Sequence, residues 1–167
     1  MLLTLQELEL HRIVVSKSYS PGELDLGGAE FRQVGALRVN AVADLEGDEI
    51  RIRGHLAGRL ESRCDRCLEK VEIPLHRDFD LRYRPMKSIA REEEIQVAAD
   101  ELEVGFYTGD SIALGDVVAE QVLLALPMKV VCEEDCRGLC PVCGANRNLE
   151  ACHCATPETG SPFASLQ

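Results

Sequence analysis

Eight cysteines in four close pairs restrict this chain more than any other feature. Cys64-x-x-Cys67 stands alone mid-chain, and Cys132-x-x-x-Cys136-x-x-x-Cys140-x-x-Cys143 is followed by Cys152-x-Cys154. With 167 residues, 46% of them hydrophobic, the chain can bury about 70% of the surface its unfolded form exposes, so it does not need disulfides merely to fold. The N-terminus carries Glu7 and Glu9 where a signal peptide would carry basic residues, and no small-residue cleavage site follows. No stretch approaches the roughly 18 to 20 apolar residues that cross a bilayer; the longest, Val117 to Leu126, is interrupted by Glu120 and Gln121. The expected location is the cytoplasm, where thiols stay reduced and clustered cysteines bind metal more often than they pair.

Zinc takes four thiolate or imidazole ligands at tetrahedral positions, and one Cys-x-x-Cys turn supplies two of them. The segment Leu139-Cys140-Pro141-Val142-Cys143-Gly144 has the form of a zinc knuckle, with Gly144 free to turn backbone amides towards the sulfurs. Four pairs make two sites. Cys140, Cys143, Cys152 and Cys154 are close enough to shut locally, which leaves Cys64 and Cys67 to join Cys132 and Cys136. A rival partition gathers Cys132, Cys136, Cys140 and Cys143 into one cluster and leaves the others free. His153 could replace a cysteine, but between two ligands it reads as a bystander. Four thiolates leave no open position for water, so one or two zinc ions held this way would be structural.

The chain is not expected to be an enzyme. A zinc deaminase needs a His-x-Glu segment, whereas His11, His55, His76 and His153 are followed two positions later by Ile13, Ala57, Asp78 and Ala155. A thioredoxin-like pair should open a helix, whereas Cys64-Asp65-Arg66-Cys67 runs into the alternating pattern that starts at Val71. Arg63 and Arg66 could still favour thiolates electrostatically, which leaves a redox or zinc-responsive regulator as an alternative.

Apolar residues alternate at Leu37, Val39, Ala41 and Ala43, resume after the Glu46-Gly47-Asp48 turn at Ile50, Ile52, Leu56 and Leu60, and recur at Val71, Ile73, Leu75, Phe79, Leu81 and Tyr83. Period two around a glycine turn predicts a hairpin and a third strand. Gly54 and Gly58 suggest a bulge or bend, as in a strongly curled or barrel-like sheet. Ile95 to Val97 and Leu102 to Phe106 read as further short strands. Asp110 or Ser111 offers an N-cap for a helix running to about Leu126, stopped by Pro127. The expected fold is α+β: an antiparallel sheet, open or barrel-like, one main helix and a zinc-bound C-terminal cysteine segment. The expected parts are an N-terminal arm over residues 1–35, an α+β core over 36–131 carrying the Cys-x-x-Cys turn, and a cysteine-rich segment and tail over 132–167.

The net charge of −11 argues against a uniformly phosphate-binding surface. Charge is unevenly spread, however. Between Arg51 and Arg91 lie 11 of the 18 basic residues, whereas Glu92 to Asp135 holds twelve acids and only Lys129. Arg51, Arg53, Arg59, Arg82 and Arg84 occupy the polar phase of their strands, where alternation collects them on one outer face. They are the candidate RNA-binding residues, against the alternative of an ordinary solvated strand face.

The Cys64-Asp65-Arg66-Cys67-Leu68 turn, the Ile112 to Pro127 helix ending in Glu120-Gln121-Val122-Leu123-Leu124-Ala125-Leu126-Pro127, the Cys136-Arg137-Gly138-Leu139-Cys140-Pro141-Val142-Cys143-Gly144-Ala145-Asn146 run and the closing Pro162-Phe163-Ala164 to Leu166 segment together resemble the YceD family of large ribosomal RNA subunit accumulation proteins. The resemblance spans roughly Arg59 to the C-terminus. It implies a bacterial or organellar protein needed for normal levels or processing of large-subunit ribosomal RNA, and it implies no catalytic activity. Some members of the family lack the downstream cysteine cluster and retain the first Cys-x-x-Cys. The expected partners are large-subunit ribosomal RNA or its precursor, contacted by the arginine face, and a basic large-subunit ribosomal protein on the acidic half. An adaptor that binds such a protein without touching RNA is the alternative.

Overall fold

The computed structural model describes residues 1–27, 30–87 and 104–154. In chain order the elements are β1 (Leu2–Thr4), α1 (Leu5–Leu10), β2 (Ile13–Tyr19), β3 (Arg32–Gln33), β4 (Leu37–Glu46), β5 (Glu49–Arg63), β6 (Lys70–Pro85), β7 (Val104–Tyr107), β8 (Ser111–Ala113) and α2 (Leu114–Leu124). The chain forms two compact units. The first comprises Met1–Glu61 and Glu72–Pro127, and the second comprises Ser62–Val71 and Met128–Gln167.

The main sheet runs β2-β4-β5-β6-β7, with β3 paired to β5. The alternation read from sequence produces the long strands directly. Ile50, Ile52, Leu56 and Leu60 of β5 are completely buried, and so are Val39 of β4 and Leu114, Val118 and Val122 of α2. These side chains form one apolar core together with Leu3, Leu75 and Phe79.

Three expectations need correction. Among the described residues the sheet is open rather than barrel-like, because its terminal strands β2 and β7 are not neighbours. It is also mixed, since β7 runs parallel to β6, from Arg82↔Val104 to Pro85↔Tyr107. Finally, the pairing of β4 with β5 continues unbroken from Arg38↔Ala57 through Ala41↔Gly54 to Glu46↔Glu49, so Gly54 marks no bulge in that ladder.

The helical content differs from expectation as well. A short helix, α1, precedes β2, with Thr4 accepting from the Glu7 N–H as its N-cap. The main helix starts later than predicted because Ser111–Ala113 is taken up as β8, pairing with β1 from Thr4↔Ser111 to Leu2↔Ala113. Its N-cap is Ala113, without a side-chain hydrogen bond; the Leu114 N–H donates instead to the Met1 carbonyl at 3.0 Å. Gln121 is buried on this helix, where its Oε1 accepts from Arg77 Nε at 3.0 Å. The strand expected at Ile95 to Val97, the start of the one expected at Leu102, and Phe163 lie outside the described residues.

Candidate metal centre

All eight cysteines fall in the second unit, and their thiols are free. Two turns there follow one hydrogen-bonding plan. In the first, the Leu68 N–H donates to the Cys64 carbonyl at 2.9 Å and the Cys64 N–H to the Glu69 carbonyl at 2.8 Å, while the Arg66 N–H points at Cys64 Sγ at 3.5 Å. In the second, the Gly144 N–H donates to the Cys140 carbonyl at 2.9 Å and the Cys140 N–H to the Ala145 carbonyl at 2.8 Å, while the Val142 N–H points at Cys140 Sγ at 3.4 Å. Both Cys-x-x-Cys pairs are therefore knuckles that turn amides onto sulfur.

The residue after each pair is left-handed: φ is 74° at Gly144 and 63° at Leu68. Glycine accepts that conformation freely, whereas a side chain pays about 1 to 2 kcal/mol for it. Leu68 is also mostly exposed, so little packing offsets this strain. Leu68→Gly is expected to stabilise the folded, metal-loaded protein by up to about 1 kcal/mol, read as a raised denaturation midpoint. A lowered midpoint would show that the Leu68 side chain contributes more by packing than its backbone costs.

The structure brings together the two quartets derived from spacing. The sulfurs of Cys64, Cys67, Cys132 and Cys136 lie within 4.8 Å of one another, and so do those of Cys140, Cys143, Cys152 and Cys154. In the first, Cys64 and Cys136 are 3.8 Å apart and Cys67 and Cys132 are 3.6 Å apart. In the second, Cys143 and Cys152 are 3.5 Å apart and Cys140 and Cys152 are 3.3 Å apart. A tetrahedron with Zn–S bonds of about 2.3 Å has edges of about 3.8 Å, so both donor sets fit a four-thiolate ion. The single-cluster rival, Cys132 and Cys136 with Cys140 and Cys143, is not among the gathered groups.

Within each quartet the thiols differ. Burial works to raise the Cys64 thiol, but the N–H groups of Cys67, Arg66 and Cys132 outweigh it and bring the pKa down to about 6. The N–H groups of Cys143 and Val142 likewise hold Cys140 at about 6. Once one sulfur is ionised, its neighbours resist losing their own protons. Cys132 is pushed up to about 12, first by its hydrogen bond with Cys136, and Cys154 to about 12 by Cys152 and Cys143. Four adjacent thiolates need a cation to coexist, and binding one releases the remaining protons.

Residues between and after the cysteines hold these pieces in place. The Val130 N–H donates to Asp65 Oδ2 at 2.7 Å. The Arg66 guanidinium donates from Nη1 to the carbonyls of Glu134 and Cys136, at 3.0 and 2.9 Å. Its own carbonyl accepts from the Leu139 N–H at 2.9 Å. Gly138 passes so close that a Cβ there would lie 2.8 Å from the Arg66 carbonyl oxygen. Asn148 Nδ2 donates to Cys136 Sγ at 3.2 Å and is the first cause of that thiol's lowered pKa. Reading the sequence by cysteine spacing missed the roles of Asp65, Arg66, Gly138 and Asn148. Their proximity to the cysteines was the available signal, and a polar residue near a ligand does not reveal which atom it serves.

The candidate RNA face lies in the first unit, and its arginines are already engaged. Arg51 donates to Asp80 from Nε and Nη2 at 2.8 and 2.7 Å and to Glu46 at 3.3 Å. Arg53 meets Asp44 at 2.6 Å, Arg59 meets Glu72 at 3.5 Å, and Arg84 meets Glu49. His55 Nδ1 lies 2.7 Å from Asp78 Oδ1 on the same face. Arg82 alone of the five makes no ion pair among the described residues, although its charge helps to lower the Asp80 pKa, after Arg51 and Arg53. The arginines do share one face, but carboxylates share it with them.

The model of the family described as large ribosomal RNA subunit accumulation protein YceD matches residues 52–167. Among curated proteins, an uncharacterized protein of Mycobacterium tuberculosis is 28% identical over 149 residues, covering 87% of this chain and 66% of that protein. An uncharacterized protein of Mycobacterium leprae is 28% identical over 121 residues, covering 70% of this chain and 50% of the relative. The uncharacterized protein YlbN of Bacillus subtilis is 24% identical over 113 residues, covering 68% of this chain and 61% of its own length. The chain thus spans slightly less than two thirds of that Mycobacterium tuberculosis protein. No solved structure matches it.

Proposed function

Because the chain belongs to the YceD family of large ribosomal RNA subunit accumulation proteins, we propose that it is a non-catalytic ribosome-biogenesis factor of the cytoplasm. In this reading it supports accumulation and processing of large-subunit ribosomal RNA, and two structural zinc ions hold its second unit together. The carrying observation is that the family match over residues 52–167 includes both four-thiol quartets. Zinc bound there supplies a fixed tetrahedral crosslink. Cys64 and Cys67 fasten the mid-chain knuckle to Cys132 and Cys136, Arg66 and Asp65 align the joined segments, and Cys140, Cys143, Cys152 and Cys154 close the local loop. Among the described residues no helix is long and apolar enough to cross a membrane.

Direct contact with precursor RNA is tested by ultraviolet crosslinking in the host followed by sequencing of the attached RNA. Enrichment of one region of large-subunit precursor supports recognition of that RNA. Absence of crosslinks from a protein that still co-sediments with ribosomal precursors rejects direct recognition. Arg82 carries the sharper expectation. Losing one phosphate contact lowers the salt slope by about 1, so Arg82→Ala is expected to flatten the salt dependence of RNA binding. Arg51→Ala should change it less, because Asp80 and Glu46 already hold Arg51. Equal effects would reject Arg82 as the principal phosphate contact on this face.

The same ion pairs favour a second reading. A face whose arginines are matched by carboxylates has little excess positive charge to release counterions from RNA, whereas an acidic chain of net charge −11 complements a basic ribosomal protein. Binding such a protein in the absence of RNA, together with missing RNA crosslinks, would establish the adaptor.

A further inference from the structure

The loop that the local quartet closes reaches back over the other quartet. Leu139 and Asn146 form an antiparallel bridge, and the Arg147 N–H donates to the Gly138 carbonyl at 2.9 Å. Asn146 Nδ2 donates to Glu69 Oε1 at 3.4 Å; the Glu69 carbonyl in turn accepts from the Cys64 N–H. Asn148 completes the arrangement. Its Oδ1 accepts from the Arg137 N–H at 2.7 Å, which assigns the oxygen end of the amide and leaves Nδ2 to donate to Cys136 Sγ at 3.2 Å.

Apolar burial does not explain this docking. Leu149, beside Asn148, is 76% exposed, and the loop around it consists of turns. Residues 144–151 lie between Cys140 and Cys143 before them and Cys152 and Cys154 after them, so a metal held by that quartet would pin both ends of the loop. A hydrogen bond to a ligating atom orients that ligand and tunes its strength, and removing such a partner commonly changes metal affinity 10- to 100-fold.

We propose that the two quartets load metal cooperatively, with Asn148 as the coupling residue: metal held by Cys140, Cys143, Cys152 and Cys154 orders the loop that aims Asn148 at Cys136, and thereby raises the affinity of the quartet containing Cys64, Cys67, Cys132 and Cys136. The proposal rests on both quartets being metal sites. By linkage, metal in either quartet tightens the other by the same factor.

The test is a cadmium titration of the full chain followed by cadmium NMR, where each four-thiolate site gives its own resonance, with affinities read by chelator competition. Cys152→Ser combined with Cys154→Ser dismantles the local quartet, assigns the surviving resonance and is expected to weaken the Cys64 quartet about 10-fold or more. Asn148→Ala in the intact chain should reproduce most of that loss and add little in the dismantled background. Asn148→Asp keeps an acceptor for Arg137 but replaces the donor to sulfur with a like charge beside it, so it should weaken the site at least as much. An unchanged Cys64 quartet after dismantling, or an equal cost of Asn148→Ala in both backgrounds, overturns the coupling while leaving the metal sites standing. Failure of either quartet to take up cadmium in the parent chain overturns the metal reading and the coupling with it.

Discussion

Stripping metal from the protein with a strong chelator is expected to unfold the second unit. Amide resonances of residues 62–71 and 128–154 should collapse into the range of unfolded chain, while those of β2, β4 and α2 in the first unit keep their dispersion. The apolar cluster of the second unit consists of Cys64, Cys67 and Cys136, with the partly buried Val71 and Val131 packed against it. Two valines contribute a few kcal/mol at most, too little to order the segment. Hydrogen bonds such as those of Arg66 and Asp65 align the segments but are each worth only about 1 kcal/mol net. A structural zinc provides an apparent 10 to 16 kcal/mol, the one contribution large enough to hold such a segment. An unchanged amide spectrum after verified metal removal would sink the structural-metal reading.

Gly54→Ala is expected to destabilise the first unit by about 1 to 3 kcal/mol, and Gly58→Ala to be tolerated. A Cβ on Gly54 would lie 2.6 Å from Phe79 Cζ, 2.7 Å from the Asn40 carbonyl oxygen and 2.8 Å from Ala41 Cβ. The ring could swing aside, but Asn40 and Ala41 belong to the strand paired directly with β5, so relief requires parting the ladder. On Gly58 the nearest neighbours, all atoms of Leu37, begin at 3.4 Å, close to ordinary van der Waals contact. Denaturant unfolding of the metal-loaded variants reads the difference. Equal stability of the two would mean that Phe79 repacks freely, contrary to the close contact of three strands at Gly54.

These two glycines show where reading a sequence stops. Both look like bend markers in an alternating strand. Gly54 is instead the place where a ring from 25 residues downstream lies against the backbone, a fact absent from the local pattern. Ser111 is similar: it looks like an N-cap, but Met1 to Thr4 compete for the segment and win it as a strand. The arginine face carries partners that the local pattern did not show. Alternation placed Arg51, Arg53 and Arg59 on one side, but the carboxylates that meet them come from the two flanking strands β4 and β6, and only the register of those strands decides which acid faces which base.

The sequence by itself determined the periodic and the local: the long alternating strands, the apolar stripe of the main helix and both Cys-x-x-Cys turns; for the eight thiols spacing favoured two quartets over a single-cluster rival, and the fold is what gathers them so. Spacing was enough for the turns and strands because a knuckle is six residues of backbone and a strand face is a two-residue repeat. Tertiary structure alone decided that the sheet stays open, that β7 runs parallel to β6, that Gly54 receives Phe79, and that Asn148 serves Cys136 in the other quartet. Each of these is a contact between chain segments brought together by folding. Propensity and period describe a residue's own neighbours in sequence, and they do not specify which distant atom a turn, a strand register or a metal-closed loop will place against it.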